Sequence, residues 1–176
     1  MTTLIPAWID GTLTPVEKLE VHRRGLRHKA VSVFVMDGDR LLIQQRAASK
    51  YHTPNLWANT CCTHPDWMEH GAACATRRLR EELGIEGLVL FPRPGIEYRA
   101  DVGGGLVEHE VVEVFTADAP ADLPHDLNPD EVQAIRWTVL DDLRAEIAAA
   151  PERFTPWLRI YMAEHAEAIF GADMRV

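Results

Sequence analysis

The chain has 176 residues, of which 47% are hydrophobic and 26% charged, a balance typical of a globular protein with one packed core. No stretch reaches the roughly 18 apolar residues that span a bilayer. The first residues, MTTLIPAWIDG, also lack the basic start and apolar run of a secretory signal. We therefore expect neither a membrane-spanning nor a secreted protein.

The cysteines point to a reducing compartment. Cys61, Cys62 and Cys74 are too few for a disulfide framework, and a vicinal pair cannot easily bridge itself. We expect a cytoplasmic protein.

The net charge of −9 argues against a broad basic face for nucleic acid. Residues 1–60 carry eight Lys/Arg and five Asp/Glu, whereas residues 61–176 carry ten and 22. A small anionic ligand can therefore be held between basic side chains of the first part and metal-binding carboxylates of the second. We expect a small-molecule substrate, no nucleic-acid or membrane partner, and a monomer or homodimer.

In chain order, the first secure feature is a β-hairpin. Apolar residues run from Ala30 to Met36, a tight turn covers Asp37 to Arg40, and Leu41 to Gln45 are again suited to a strand. The residues before this hairpin, about 1–28, are interpreted as an amino-terminal arm.

A helix is predicted next, over Glu69 to Leu83. The segment contains no proline, is rich in helix formers and stops at Gly84, a residue typical of the position after a helix end.

Short strands and two further helices complete the chain. A connector rich in proline and aspartate (116–131) is predicted to be a loop. The strands are predicted at Leu88–Phe91, Ile96–Ala100, Leu106–Phe115 and Val132–Trp137, and the helices near Leu140–Ala149 and Phe154–Phe170. This interleaving favours an α/β (mixed α+β) architecture, a mixed β-sheet sandwiched between helices, in a single domain covering residues 1–176.

Three imidazoles and two carboxylates are candidate ligands of a first-row divalent metal: His22, His28, His64, Glu108 and Glu110. Alternation along a strand puts Glu108 and Glu110 on one face and His109 on the other. Spacing alone does not show that such distant segments converge, so each side chain can also be read as an exposed polar residue.

The helix and the loop before it resemble the Nudix box, in which a glycine precedes a helix rich in glutamate. The matching residues are Glu69, Arg77, Leu79, Glu81, Glu82, Gly84 and Ile85. Thr63 stands in place of the glycine, and Arg78 in place of the first helical glutamate. In the hydrolases these glutamates gather Mg²⁺, so Arg78 disfavours hydrolysis. Arg78 and Glu82 share a helix face, which suits a diphosphate bridged by Mg²⁺.

Further motifs are similar to those of type I isopentenyl diphosphate isomerase, a family with the Nudix fold. They are Arg46–Lys50 (RAASK), Trp57–Pro65 (WANTCCTHP), Val107–Val111 (VEHEV) and Phe154–Trp157 (FTPW). The resemblance covers about Glu17 to Trp157 and implies interconversion of isopentenyl and dimethylallyl diphosphate by proton transfer through a tertiary carbocation.

The resemblance also implies roles for particular residues. Cys62 and Glu110 would be the acid–base pair, with Tyr98 and Trp157 as aromatic walls for the cation. Glu82 and the main-chain carbonyl of Cys62 would hold Mg²⁺ on the diphosphate. The cationic residues of the diphosphate pocket would be Lys18, Arg46, Lys50 and Arg78. The five His and Glu residues would hold Mn²⁺ or Zn²⁺.

Two alternatives remain open at this point. One is a Nudix hydrolase of nucleoside diphosphate derivatives. The other is a non-catalytic metal-binding or regulatory module.

Overall fold

A computed structural model describes residues 3–171, so residues 1–2 and 172–176 of the predicted domain lie outside the description. The strands are β1 (Leu4–Ile9), β2 (Thr12–Glu17), β3 (Arg27–Asp37), β4 (Arg40–Arg46), β5 (Trp57–Ala58), β6 (Cys61–Thr63), β7 (Phe91–Gly103), β8 (Leu106–Asp118) and β9 (Val132–Val139). The helices are α1 (Lys18–Arg24), α2 (Gly71–Leu83), α3 (Leu140–Ala149), α4 (Pro156–Ile160) and α5 (Ala166–Phe170). Within residues 3–171 no helix is long and apolar enough to cross a membrane.

Strand β3 organises the sheet. One edge pairs in parallel with β8 over ten residues, from Arg27 to Met36. The other edge pairs in turn with β1, β6 and β4, all antiparallel. Strand β4 continues the sheet to β5 and β9, and β8 continues it to β7. Segments far apart in sequence therefore meet around one central strand.

Each face of the sheet buries its own core. Alternate residues of β3 point to opposite faces, so Phe34 packs with the helices after β9 while Val33 packs against α2. Leu143 and Leu158 are fully buried on the first face, and Leu83 is fully buried on the second. The predicted mixed sheet between helices is confirmed.

Several predicted elements are confirmed with small changes of boundary. The hairpin forms β3 and β4, which pair with each other only beside the turn. Helix α2 begins two residues later than predicted and ends as predicted, because Gly84 adopts the left-handed conformation with φ of +64°. Helix α3 has the predicted bounds.

The strand predicted at Leu88–Phe91 is wrong. Residues 84–90 have no regular structure, and β7 begins only at Phe91. Positive φ angles at Gly84 and Gly87 turn the backbone out of an extended path. The apolar pattern there has another cause, since Leu88 and Leu90 anchor this connection against the core below α2.

The amino-terminal segment is folded. β1 and β2 form a hairpin, and β1 joins the sheet through the pairing of Ala7 with His28. The carboxylate of Glu17 accepts hydrogen bonds from the backbone N–H groups of Leu19 and Glu20, which starts α1. The segment interpreted as an arm therefore carries a strand pair and a capped helix.

The last predicted helix is one helical segment with an irregular centre. It begins at Pro156 after the N-cap Thr155 and passes through a π-helical turn at Tyr161–His165. The backbone N–H of Thr155 donates to the carbonyl of Trp57, which ties the start of this segment to β5. This contact brings Trp157 next to the Trp57–Pro65 segment.

Gly84 is expected to matter beyond its φ angle. A Cβ atom there would lie 2.6 Å from the backbone N of Asp126 and 2.8 Å from its carbonyl oxygen. Gly84→Ala should lower the unfolding free energy by about 2–4 kcal/mol, combining left-handed strain with a clash. Gly87→Ala is the matched control, because Gly87 has φ of +75° and open space around it. It should cost only about 1 kcal/mol. Equal losses in urea unfolding would contradict this assignment.

Candidate active site

One cavity is lined by ten of the 13 predicted site residues. The other three, His22, His28 and Tyr98, do not line it but contact residues that do. The cavity opens between α1, the loop after β4, strand β6, α2 and β8. The lining residues are Lys18, Gln44, Arg46, Lys50, Tyr51, His52, Cys62, Thr63, His64, Arg78, Glu82, Glu108, Glu110, Glu131 and Trp157.

The first two histidines are oriented by backbone carbonyls. Nδ1 of His22 lies 2.7 Å from the carbonyl oxygen of Lys18, and Nδ1 of His28 lies 2.7 Å from that of Leu26. A carbonyl oxygen only accepts, so each Nδ1 is the protonated nitrogen of its ring. A ring held in this way presents the lone pair of Nε2 when it is neutral, which is the orientation that metal-binding histidines need.

The Nε2 atoms converge on Glu110. Nε2 of His64 lies 3.2 Å from Nε2 of His28 and 3.0 Å from Oε1 of Glu110. Nε2 of His22 is buried without a hydrogen-bond partner. The four ligand atoms of these residues all lie within 4.8 Å of one another. Since these atoms carry lone pairs, a shared proton or a cation is needed to make their approach favourable, so the residues present fit a divalent metal.

Glu108 and Glu110 form a buried pair on β8, as the predicted alternation requires. Their exposed fractions are 3% and 1%, and His109 points away to Glu97. The hydroxyl of Tyr98 lies 2.8 Å from a carboxylate oxygen of each. Burial and the charge of Glu110 raise the pKa of Glu108 well above its usual range. Burial opposes ionisation of Glu110 as well, but His28 and His64 hold its pKa well below the usual range.

Cys62 is a protonated thiol. Burial raises its pKa well above the usual range, and the charges of Glu110 and Glu108 act in the same direction. Ser32 lies beside it on β3, with its hydroxyl donating to Sγ over 3.3 Å. Because the single hydroxyl proton of Ser32 is donated to Sγ, Tyr161 is the donor in the 2.9 Å contact between the hydroxyl groups of Ser32 and Tyr161. A neutral thiol in this setting can give a proton, and the hydroxyl groups can stabilise the sulfur that remains.

The other end of the cavity carries the cations. Lys50 lies 2.5 Å from Glu131, and Arg78 lies 3.3 Å from the same carboxylate and 2.7 Å from Glu82. Gln44 donates to the second oxygen of Glu82 over 3.0 Å. The contact between Arg78 and Glu82 follows from their spacing on α2, as predicted.

Lys18 and Arg46 line the same end. Burial and repulsion from Lys50 and Arg78 lower the pKa of Lys18. Arg46 donates to the backbone carbonyls of His52 and Thr53, both over 3.2 Å. Arg46 also lies 5.3 Å above the ring of Trp157, whose indole N–H is buried without a partner.

Two further glutamates, Glu69 before α2 and Glu81 on it, are engaged by arginine. Arg77 holds both oxygens of Glu69 at 2.7 Å and contacts Glu81 at 3.0 Å. Arg78 holds Glu81 from the other side at 2.9 Å. All three glutamates are therefore in ion pairs with arginine, and Glu82 is the one among them that lines the cavity.

Five residues beside the reacting groups were not predicted from the sequence: Ser32, Gln44, His52, Glu131 and Tyr161. None belongs to a short motif. Ser32 lies at an inward position of a predicted strand, and a search for polar residues on that buried face would have found it.

Residues 26–158 match the model of the NUDIX domain, so the chain contains a domain of the Nudix class. The fold agrees with solved structures at low sequence identity. A Deinococcus radiodurans protein superposes with a TM-score of 0.72 at 18% identity, covering 90% of this chain and 96% of that one. A MutT Nudix hydrolase from Burkholderia pseudomallei gives 0.61 at 24% identity, covering 79% and 98%. These likenesses establish the fold alone.

Sequence relatives identify the family. The isopentenyl-diphosphate Delta-isomerase of Cereibacter sphaeroides strain KD131 is 66% identical over 171 residues, 97% of each chain. That of Dinoroseobacter shibae is also 66% identical over 171 residues, again 97% of each. That of Ruegeria pomeroyi is 60% identical over 174 residues, 99% of this chain and 97% of the relative. The chain belongs to the isopentenyl-diphosphate Delta-isomerase family.

The buried imidazoles predict how stability depends on pH without metal. Burial lowers the pKa of His22 to about 4 and that of His52 to about 3. Unfolded histidine titrates near pH 6.5, so only the unfolded state gains protons as the pH falls from about 6.5 to about 4. The unfolding free energy of metal-free protein should therefore fall over this interval, by up to about 1.4 kcal/mol per pH unit for each histidine.

The test is urea unfolding at several pH values in the presence of a chelator. His52→Gln should reduce the slope of unfolding free energy against pH by up to about 1.4 kcal/mol per pH unit, the contribution of one histidine. His125→Gln, a change at an exposed position, should keep it. A slope unchanged in His52→Gln would contradict the assignment.

Proposed function

We propose that this protein is an isomerase that interconverts isopentenyl and dimethylallyl diphosphate by adding one proton and removing another. The observation that carries the proposal is the location of the Cys62 thiol and the Glu110 carboxylate in one cavity with a cationic end. Burial raises the pKa of the thiol, whereas His28 and His64 lower that of the carboxylate against the effect of its burial. An alkene without activating groups needs an acid for one carbon and a base for the neighbouring allylic position, and this pair supplies both.

Different side chains carry out the two proton transfers. Cys62 delivers a proton to the double bond, and the hydroxyls of Ser32 and Tyr161 stabilise its sulfur. Glu110 accepts the allylic proton, with Tyr98 holding its second oxygen. Trp157 offers an aromatic face to the tertiary cation, a contact worth up to about 2 kcal/mol when desolvated.

The diphosphate binds at the cationic end. In the structure the carboxylate of Glu131 neutralises Lys50 and Arg78, so a diphosphate would compete with it for these two cations. Lys18 adds charge nearby. Arg46 holds the adjacent loop by its backbone and retains further N–H groups for the substrate.

The available nitrogen and oxygen ligands suit two kinds of metal site. The imidazoles with Glu108 and Glu110 would hold a transition metal such as Mn²⁺ or Zn²⁺. When bound, that cation would lower the proton affinity of Glu110 and aim its free oxygen. Glu82 and the main-chain carbonyl of Cys62 offer only oxygen, which suits Mg²⁺ arriving with the diphosphate.

We also propose a cellular setting for the enzyme. Three free cysteines within the described residues favour a cytoplasmic protein. We further propose a single domain over residues 1–176, acting as a monomer or homodimer with neither nucleic acid nor membrane as a partner.

Hydrolysis of nucleoside diphosphate derivatives is the competing activity of the Nudix class. Arg78 replaces a helical glutamate of the box, so the helix offers one carboxylate fewer to Mg²⁺. A solely regulatory metal module would have no use for an acid, a base and a phosphate pocket in one cavity. Isomerisation uses all three features.

Proton NMR of the protein with isopentenyl diphosphate and Mg²⁺ tests the reaction. We expect dimethylallyl signals without release of inorganic phosphate. Cys62→Ala and Glu110→Gln should each lower turnover by more than roughly 10²–10⁴-fold, the range usual for a general acid or base. Cys61→Ala and Cys74→Ala are matched controls and should keep most activity. Faster phosphate release from nucleoside diphosphate derivatives, or an active Cys62→Ala, would overturn the proposal.

The two metals should be separable by mutation. His64→Ala should lower the metal content of dialysed protein, because it removes a nitrogen ligand. Glu82→Gln should leave that content intact and weaken diphosphate binding instead. Lowering the pH through the histidine range, near 6.5 for a free imidazole, should release the first metal. Elemental analysis of the dialysed proteins measures the metal content. Equal metal loss in both variants would contradict the assignment of two separate metal sites.

A further inference from the structure

His52 takes no part in the proposed reaction, yet it lines the same cavity. It belongs to the loop between β4 and β5, and its exposed fraction is 7%. Its ring stacks on that of His22 with centroids 5.8 Å apart and an angle of 27°. A buried imidazole in contact with a predicted metal ligand calls for a chemical explanation.

The geometry groups His52 with Glu108. Its Nε2 lies 3.8 Å from Oε1 of Glu108. One ligand atom from each of His22, His52 and Glu108 lies within 4.8 Å of the other two. In the larger group the ligand atoms also lie within 4.8 Å of one another, and its members are His22, His28, His64 and Glu110. His22 is common to both groups, and its Nε2 is buried without a hydrogen-bond partner.

The loop holds this ring under backbone strain. Thr53, a β-branched residue, has φ of +48°, and Asn55 has φ of +64°. Arg46 fixes the strained turn by donating to the carbonyls of His52 and Thr53. Nδ1 of His52 lies 2.9 Å from the hydroxyl of Thr53, which leaves Nε2 as the nitrogen facing Glu108. Strain of this kind is retained where the position of a side chain matters.

We propose that His52 is an additional ligand of the transition-metal centre, completing a set of four imidazoles and two carboxylates. This inference rests on the metal centre of the proposed function and extends it by one residue. A sixth protein ligand leaves no position for a water molecule, so the cation would order the proton-transfer residues rather than activate a nucleophile. A fourth nitrogen also raises the preference for transition metals over Mg²⁺.

The test compares metal binding by full-length variants stripped of metal and reloaded with Co²⁺ or Zn²⁺. His52→Ala should still bind one equivalent, but about 10–100-fold more weakly in competition with a chelator. Its Co²⁺ form should absorb visible light more strongly than that of the wild type. The reason is that a five-coordinate Co²⁺ ion lacks the near-centrosymmetric environment that keeps the absorption of a six-coordinate ion weak. His52→Gln, which keeps a polar side chain of similar bulk, should show the same changes if His52→Ala folds poorly.

Two further variants separate the possible outcomes. His22→Ala should lose most of the affinity, and His125→Ala, at an exposed histidine, should match the wild type. If His22→Ala loses the metal while both His52 variants keep wild-type affinity and spectrum, His52 is not a ligand and the centre stands without it. If His22→Ala also binds normally, the metal centre itself is wrong, and this inference fails with it.

Discussion

Two carboxylates buried side by side on β8 are the constraint around which the site is built. Glu108 and Glu110 point to the same face, and their ion-pair partners among residues 3–171 are histidines rather than lysine or arginine. Burying such charges without compensation costs several kcal/mol each. The imidazoles, the hydroxyl of Tyr98 and a divalent cation are the compensation that this arrangement calls for.

The fold supplies those partners from distant parts of the chain. α1 is short, but a carboxylate cap at Glu17 and a left-handed Gly25 fix its ends, so His22 is delivered beside His28 at the start of β3. β6 brings Cys62 to the other edge of β3, opposite Ser32. The parallel pairing of β3 with β8 then aligns His28 with Glu110. One central strand therefore positions Cys62, Glu110 and the imidazoles together.

Local patterns in the sequence predicted the parts that depend on local physics. The alternation of side chains along a strand predicted that Glu108 and Glu110 share one face. Gly84 predicted the end of α2, and the spacing of four residues predicted the contact between Arg78 and Glu82. The resemblance to a known family supplied roles that spacing alone could not. In contrast, apolar residues at Leu88 and Leu90 led to a false strand, because anchoring a loop to a core produces the same pattern.

Residues positioned by tertiary contacts escaped prediction. His52 sits in a polar loop whose strained backbone at Thr53 cannot be read from composition. Glu131 reaches Lys50 only because a long loop docks on the end of α2, where the backbone N–H of Asn128 donates to the carbonyl of Glu82. Tyr161 meets Ser32 across 129 positions of sequence. No local rule anticipates such contacts.

The central claim is that the imidazoles and buried carboxylates form one metal centre. Anomalous diffraction from crystals soaked in Mn²⁺, recorded without substrate, tests it most directly. We expect one strong peak about 2.0–2.3 Å from the Nε2 atoms of His22, His28 and His64 and from an oxygen of Glu110. A peak at the glutamates of α2 with none among the imidazoles would contradict it.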